Sequence, residues 1–533
     1  MKELPTGLQE FEHIRRADAL YVDKTAMIHK LVSGARKQFF LSRPRRFGKT
    51  LTCWTLDALF SGKRELFEGL AISKTDWAWE SFPVIHLDMS MVRTSDGVGG
   101  VKESLAIQTM EVAGKHGIAV DQNMAPGDML RKIIIGAAEK HGKPAVVIVD
   151  EYDKPFLDFY NQPPMAGDVR KVMRDYYIQL KANESNIRFL FMTGISKFTK
   201  AGVFSTLNNL NDLSLDKNFG TMLGYTGEEL LEYFSEYIEA VAKNRNVLAD
   251  ELVTQMKHYY NGFCFDGIHK VYNPFSALNF FQSGEFGNFW MESASPKIIA
   301  DYMKGKNLTV EQFRGMTVDR DFVCCPGEIE TAPPQSFLYQ AGYLTIRECI
   351  EDDFILDYPN VEVLNSMSKL TAQNIVEGSG EDFMDFRTSI MDALADDDAE
   401  LFVETVNRLL ASIPYDDYVS AAKQGIRLSD KKITTQEWLY RSTILAFLRG
   451  CGILTFGEMH SNQGRSDMVV TCRGATWVIE IKVAAEGEDC RAKAEEAMTQ
   501  LSGNQYADQY KNAKKLAIAI DDSTRQAVEW VEG

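Results

Sequence analysis

Between residues 38 and 220, short apolar runs alternate with stretches of helical periodicity. Four runs read as strands: "QFFLS" (38–42), "PVIHLDMS" (83–90), "AVVIVDEYD" (145–153) and "IRFLFMTGIS" (187–196). The first, third and fourth are almost continuously apolar, the pattern of strands covered on both faces in a parallel sheet. With helical spacing between them, this part is predicted to be α/β.

From 225 to 380 the pattern changes. "TGEELLEYFSEYIEAVAKNRN" and "DELVTQMKHYYNGF" read as amphipathic helices. "SFLYQAGYLTIREC" followed by "DFILDYPNVEV" reads as a helix end, a strand and a hairpin. A helical and winged-helix-like lid is expected there. Residues 381–432 are helical and acidic ("ADDDAELFVETVNRLLASI"), suited to a connector. Residues 433–533 form a further block of helix, strand, hairpin, helix, strand and helix. The expected division is 1–224, 225–380, 381–432 and 433–533.

A chain of 533 residues exceeds one core, in keeping with several domains. The composition, 45% hydrophobic and 25% charged, is that of an ordinary globular protein. A net charge of −17 argues against a chain coated in nucleic acid, yet leaves room for a locally basic groove. The eight cysteines are scattered without a C-x-x-C, so neither zinc spacing nor a disulfide framework is indicated. The first residues lack the apolar core of a secretory signal, and no apolar run is long enough to span a bilayer. The expected location is the cytoplasm, with no membrane partner.

"QFFLSRPRRFGKTL" ends as a phosphate-binding loop entering a helix ends. Such a loop aims backbone N–H groups and a helix N-terminus at phosphates; its Lys reaches the β/γ-phosphates and its hydroxyl ligates Mg²⁺. Gly48, Lys49 and Thr50 supply these parts, but Arg43 stands where the usual spacing wants the first glycine. A neighbouring strand must bring a metal-holding carboxylate. "AVVIVDE" brings Asp150, expected to hold Mg²⁺, and Glu151, expected to orient or activate the attacking water. A third strand ends in Thr193, expected to touch the γ-phosphate or that water, with Gly194 allowing close approach. Arg45 and Arg46 are either solvated turn residues or further phosphate contacts. Asp23 and Lys24 either approach the nucleotide or cap the fold.

The last block holds "GRSDMVVTCRGATWVIEIKVAAEG". If Arg473-Gly474 is the turn of a two-residue hairpin, Cys472 faces Ala475 and Asp467 falls opposite Glu480. Alternation then puts Glu480 and Lys482 on one face. Trp477, Ile479, Ile481 and Val483 go to the other, with Met468, Val470 and Cys472. Two carboxylates can hold a divalent cation, and the lysine can orient or deprotonate water and steady developing charge. A helix with Glu437 precedes this hairpin, and a segment with Gln500 and Tyr506 follows. Arg465, Lys482 and Arg491 are the basic residues nearest that face.

These motifs resemble the bacterial AAA-ATPase-like family, with its "YVDKT" (21–25), "RPRRFGKT" (43–50) and "DEYDKP" (150–155). The unusual loop entrance is thus a family trait. "YYNGFCF", "VYNPFSALNFF" and "FLYQAGYLTI" are similar to the same family. The C-terminal block resembles the PD-(D/E)xK nuclease superfamily. Asp467, Glu480 and Lys482 fall on its D…ExK positions, Glu437 on its first-helix Glu, and Gln500 on its Q-x-x-x-x-x-Y helix. Ser466 departs from the apolar residue usual before the Asp.

The resemblance implies a P-loop NTPase parallel sheet, a helical and winged-helix-like middle, and an α/β restriction-endonuclease-like domain. It implies ATP and Mg²⁺ as cofactors, with Mn²⁺ an alternative at the nuclease site, and a nucleic-acid substrate, DNA or RNA. Many ATPases of this fold oligomerise to supply an arginine in trans, so a homo-oligomer is an expectation, though no residue identifies that finger. The expected activity is ATP-gated cleavage of a nucleic-acid phosphodiester. The alternative is an ATP-switched binding protein whose nuclease-like domain does not cut.

Overall fold

The structure is a computed structural model that describes residues 1–197, 207, 209–293, 299, 310–320, 323, 333–413, 435–461, 464–503 and 513–533. It divides into two compact units, Met1–Ala294 with Gly315–Glu362, and Ser295–Arg314 with Val363–Gly533.

The first unit is built on a sheet of β1 (Gln38–Ser42), β2 (Val84–Asp88), β3 (Ala145–Asp150), β4 (Ile187–Gly194) and β5 (Asn211–Asp212). The order is β2-β3-β4-β1-β5, and every pair is parallel. β3 is buried along its whole length, as its unbroken apolar run predicts, whereas β2 at the sheet edge alternates. Helices Gly97–Lys115, Pro126–His141 and Pro163–Ala182 cover one face, where Leu105, Ile133 and Met173 meet Val147, Val149 and Met192. The placement of β4 matters for function. It sets β4 between β1, which feeds the phosphate loop, and β3, which ends in Asp150 and Glu151.

The rest of this unit is helical with two small sheets. A reciprocal capping box between Thr226 and Glu229 starts the helix Gly227–Tyr233. With Ser235–Arg245, Ala249–Tyr260 and Pro274–Ser283 it closes around Phe234, Leu252, Met256 and Phe280. A two-stranded hairpin, β6 (Phe263–Cys264) and β7 (Lys270–Val271), follows the third of these helices. The helix Pro334–Ala341 then leads into β9 (Thr345–Ile350) and β10 (Asp353–Asp357). With β8 (Met316–Asp319) they make an antiparallel sheet of order β8-β10-β9, the helix, strand and hairpin expected from the sequence.

The second unit has a mixed sheet of β11 (Leu454–Ser461), β12 (Gly464–Cys472), β13 (Ala475–Ala484), β14 (Lys514–Asp521) and β15 (Gln526–Glu532), in chain order. Only β13 and β14 run parallel, and the helix Cys490–Gly503 lies in the crossover that such a pair needs. One face packs Met468, Val470, Trp477, Ile479 and Ile481 against helices Phe383–Ala395, Ala399–Ala411 and Thr435–Gly450. The other packs Val469, Val478 and Ala517 against Ala497 and Leu501. The chain's last segment is a strand, not the expected helix. It is too short to stabilise a helix alone, and pairing with β14 satisfies its backbone while Ala527 enters the core.

Candidate functional site

The phosphate loop closes on itself. Gly48 is left-handed, φ 93°, and its carbonyl accepts from Thr52 N–H at 3.0 Å, starting the helix Lys49–Phe60. Lys49 is buried, and its Nζ donates to the carbonyls of Arg43 and Pro44, each at 2.9 Å. The ammonium is thus held inside the loop that it would share with phosphates. Burial lowers its proton affinity, and the nearby Glu151, Asp150 and Asp153 work against that shift.

The carboxylates stand at the end of β3. Asp150 is 1% exposed, and the nearby Thr50 hydroxyl works to lower its carboxyl, so the two groups expected to hold Mg²⁺ are neighbours. Both are hard oxygen donors, which suits that ion. Burial raises the Asp150 and Glu151 carboxyls above their ordinary range. Glu151 adopts φ 49°, a left-handed conformation that costs a non-glycine residue energy. Thr193 is fully buried, and its hydroxyl donates to Leu41 O at 2.7 Å, linking β4 to the strand before the loop.

Two acidic residues escaped the sequence reading. Asp153 accepts from Ser196 N–H at 2.7 Å, Ser196 Oγ at 2.6 Å and Ile195 N–H at 3.1 Å, fastening the end of β3 to the end of β4. Gly194 is required beside it, because a Cβ there would lie 2.4 Å from Asp153 Oδ1. Asp88 ends β2 and pairs in register with Asp150. The signal for both was an acid closing an apolar run, in "DEYD" and "VIHLD".

The arginines of the entrance differ from one another. Arg43 is 1% exposed. Its Nη1 donates to Ser42 O and Ser214 O at 2.9 Å, and its guanidinium lies 4.3 Å from the centre of the Phe265 ring. Burial pulls its pKa down to about 10. The residue in the place of the missing glycine is therefore a buried brace. Arg46 is exposed, with φ 66°, and lies over Phe275 at 4.9 Å. Arg45 is half-buried between them. Phe47 meets Phe263 and Phe265 edge-on at 4.9 and 5.3 Å, and left-handed Gly342, φ 91°, admits Pro44 where a Cβ would come within 2.6 Å. The loop is thus bedded on the β6 hairpin and on the turn after Pro334–Ala341.

Asp23 and Lys24 serve the fold. Asp23 accepts from Thr25 N–H at 2.8 Å and Ala71 N–H at 2.7 Å, and Lys24 pairs with Glu229 at 2.6 Å. An apolar cleft opens beside Gly48, Leu51 and Thr52, walled by Tyr21, Val22, Met222 and Tyr225.

In the second unit, the hairpin turn is as the sequence predicts. Arg473 and Gly474 have φ 45° and 91°, the two left-handed residues of a type I′ turn, and the ladder runs from Cys472↔Ala475 to Met468↔Ile479. Asp467 lies on β12 next to Met468, with its side chain outside the described residues, as is that of Arg465 and all of Tyr506. Lys482 Nζ lies 3.8 Å from Glu437 Oε1 and 4.0 Å from Glu480 Oε1. Glu480 is 2% exposed and Glu437 7%. A strand and the helix Thr435–Gly450 thus bring two carboxylates to one ammonium. Gln500 is half-buried on Cys490–Gly503, and Arg491 pairs with Glu495 at 3.2 Å. Among the described residues, no three His, Cys, Asp or Glu side chains are grouped to hold a metal. Also among the described residues, no helix is long and apolar enough to cross a membrane.

Two family models match the chain. One, described as "Predicted AAA-ATPase", covers residues 5–204, and the other, "PD-(D/E)XK nuclease superfamily", covers 435–530. A relative from Azotobacter chroococcum mcd 1, described as an uncharacterized protein in the vnfD 5′ region, is 31% identical over 547 residues, 99% of this chain and 98% of its own. Among solved structures, the Aeropyrum pernix ORC2 protein is 12% identical over 69% of this chain and 94% of its own, with a TM-score of 0.25. Drosophila ORC bound to GC-rich DNA and Cdc6 is 12% identical over 82% and 64%, with a TM-score of 0.26. Similarity that low carries nothing further for this chain.

Proposed function

The chain belongs to the predicted AAA-ATPase family and carries a PD-(D/E)XK nuclease superfamily domain as well, and from that premise we propose that it is an ATP-dependent nuclease. These domains imply nucleotide and divalent-metal use. The observation that carries the proposal is the closed phosphate loop, with Lys49 inside it and Thr50 close to Asp150, which adjoins Glu151. Lys49 would turn from the Arg43 and Pro44 carbonyls to bind ATP phosphates. Thr50 and Asp150 would hold Mg²⁺, which would supply neutralisation of phosphate charge. Glu151 orients the attacking water. The apolar cleft beside Gly48 takes the adenine.

In the second unit, Glu480 and Asp467 would hold a divalent ion; their positions fall one register step beyond the ladder that ends at Met468↔Ile479. Lys482, steadied by Glu437, orients the water that attacks a DNA or RNA phosphodiester. Nucleotide state reaches the middle region through Phe47 and Pro44, which rest on its β6 hairpin and on Gly342.

The test is cleavage of labelled DNA and RNA with Mg²⁺ or Mn²⁺, with and without ATP. Loss of cleavage in Lys482→Ala and Asp467→Ala supports the assignment. ATP binding without any cleavage by the wild type selects instead an ATP-switched binding protein.

A further inference from the structure

A small cavity borders the entrance of the phosphate loop. Ser42, Arg43, Lys197, Asp212, Ser214 and Gln340 supply the polar part of its wall. The space open to the centre of a water-sized atom is about 30 Å³. One water needs roughly 10–15 Å³ of such space. The cavity therefore admits one or two atoms and no nucleotide.

Charge in this wall does not balance. Arg43 is 1% exposed, and neutral groups surround its guanidinium. Its Nη1 donates to Ser42 O and Ser214 O at 2.9 Å, its Nη2 reaches Phe219 O at 3.5 Å, and the Phe265 ring lies 4.3 Å away. Among the described residues, the carboxylate in the wall is Asp212, and both its oxygens are engaged. Its Oδ1 accepts from Ser214 N–H at 2.9 Å, and its Oδ2 pairs with Lys197. The Arg43 charge is left over, where an uncompensated cation is costly.

The hydrogen-bonding groups left over are donors as well. Arg43 Nε is buried and has no acceptor among the described residues. Ser214 Oγ accepts from Ser42 N–H at 3.0 Å and from Ser42 Oγ at 2.9 Å, which leaves its own proton to give. Gln340 Oε1 accepts from Lys197 N–H at 2.5 Å, which leaves its amide NH₂. A water would bring two protons of its own to a wall whose Ser42 and Ser214 carbonyls already serve Arg43. An acceptor with a negative charge and no proton answers both deficits. We propose that this cavity binds a single monatomic anion, chloride, held by Arg43, Ser214 and Gln340. The Arg43 carbonyl also accepts from Lys49 at 2.9 Å, so an ion that fixes Arg43 fixes the loop around that ammonium.

The experiment has two arms, both on the full chain without nucleotide. Thermal unfolding is compared in sodium chloride, sodium bromide and sodium gluconate at one ionic strength, for wild type and Gln340→Glu. Binding to the folded state alone should raise the wild-type midpoint in either halide by ~2 °C or more over gluconate, whose anion is too large to enter. Gln340→Glu keeps an acceptor for Lys197 N–H and adds a fixed negative charge to the wall, so its midpoint should not respond to halide. In wild-type crystals grown with bromide, anomalous scattering should show one peak in the cavity, within hydrogen-bond reach of Arg43 Nε. An equal halide response in both proteins is a general salt effect and overturns the proposal. A peak without a halide response marks an adventitious ion only and overturns it too, as does a cavity that holds water in the bromide-grown crystals. If Gln340→Glu does not fold, the wild-type midpoint and the bromide peak decide together: both must be present, and the lack of either overturns the proposal.

Discussion

The two candidate sites are built on different plans. The phosphate loop is a main-chain device. Lys49 is satisfied by carbonyls five and six residues before it, and left-handed Gly48 sets the helix that follows. The cluster around Lys482 is a side-chain device, with Glu437 from a helix and Glu480 from a strand, at separations of 3.8 and 4.0 Å from the ammonium. The first is arranged before any ligand arrives. The second has its lysine balanced between two carboxylates. A site made of backbone is hard to abolish by trimming one side chain; a site made of three side chains is not.

Lys482→Ala or Glu480→Gln breaks this contrast if it is wrong. Cleavage should fall about 10³-fold, roughly 4 kcal/mol of transition-state stabilisation, with ATP affinity unchanged. A simultaneous loss of ATP binding, read by titration, would show that the two sites are not separately built.

Arg43→Ala comes next. It strands the carbonyls of Ser42 and Ser214 and leaves a cavity against Phe265, so about 3 kcal/mol of stability should be lost, seen as a lowered denaturant midpoint. If stability holds and only ATP affinity drops, Arg43 is a ligand-binding residue and not a brace.

Lys49→Ala should weaken ATP about 100-fold, or 2.7 kcal/mol, while the folded state survives, because the carbonyls it releases can be hydrated. Collapse of the fold would mean that the ammonium supports the loop more than it serves a ligand.

The smallest effect sharpens the idea of a site arranged in advance. Burial holds the Asp150 carboxyl above its ordinary range, so its ionised form costs stability at pH 8. Asp150→Asn should therefore stabilise the nucleotide-free protein by about 1 kcal/mol at that pH. The gain should fade as pH falls through the raised folded-state value towards the ordinary carboxyl range, where both states are protonated. Calorimetry at two pH values reads it.

What the sequence made legible follows the same division. Buried strands β1, β3 and β4 announce themselves as apolar runs, and the Arg473-Gly474 turn fixed the β12–β13 register, because hairpin pairing is a local property. Glu480 and Lys482 fell on their face by alternation alone. What stayed hidden depends on partners far along the chain. Arg43 reaches Ser214, Pro44 meets Gly342, and Phe47 packs on Phe263, none of which periodicity can join. Thr193 looked like a phosphate contact because it ends a buried strand, yet its hydroxyl bonds Leu41 O, a partner only the sheet order supplies. The last strand was misread for a related reason: seven residues leave pairing with β14 to decide between strand and helix.

The central claim is that nucleotide at the first site controls phosphodiester cleavage at the second. The most direct measurement is the cleavage rate of labelled nucleic acid in Mn²⁺, with and without ATP, for wild type and Lys49→Ala. The account predicts at least a ~10-fold response to ATP in the wild type and none in the variant, each tenfold being about 1.4 kcal/mol of coupling. Equal cleavage by both proteins, unmoved by ATP, would contradict it.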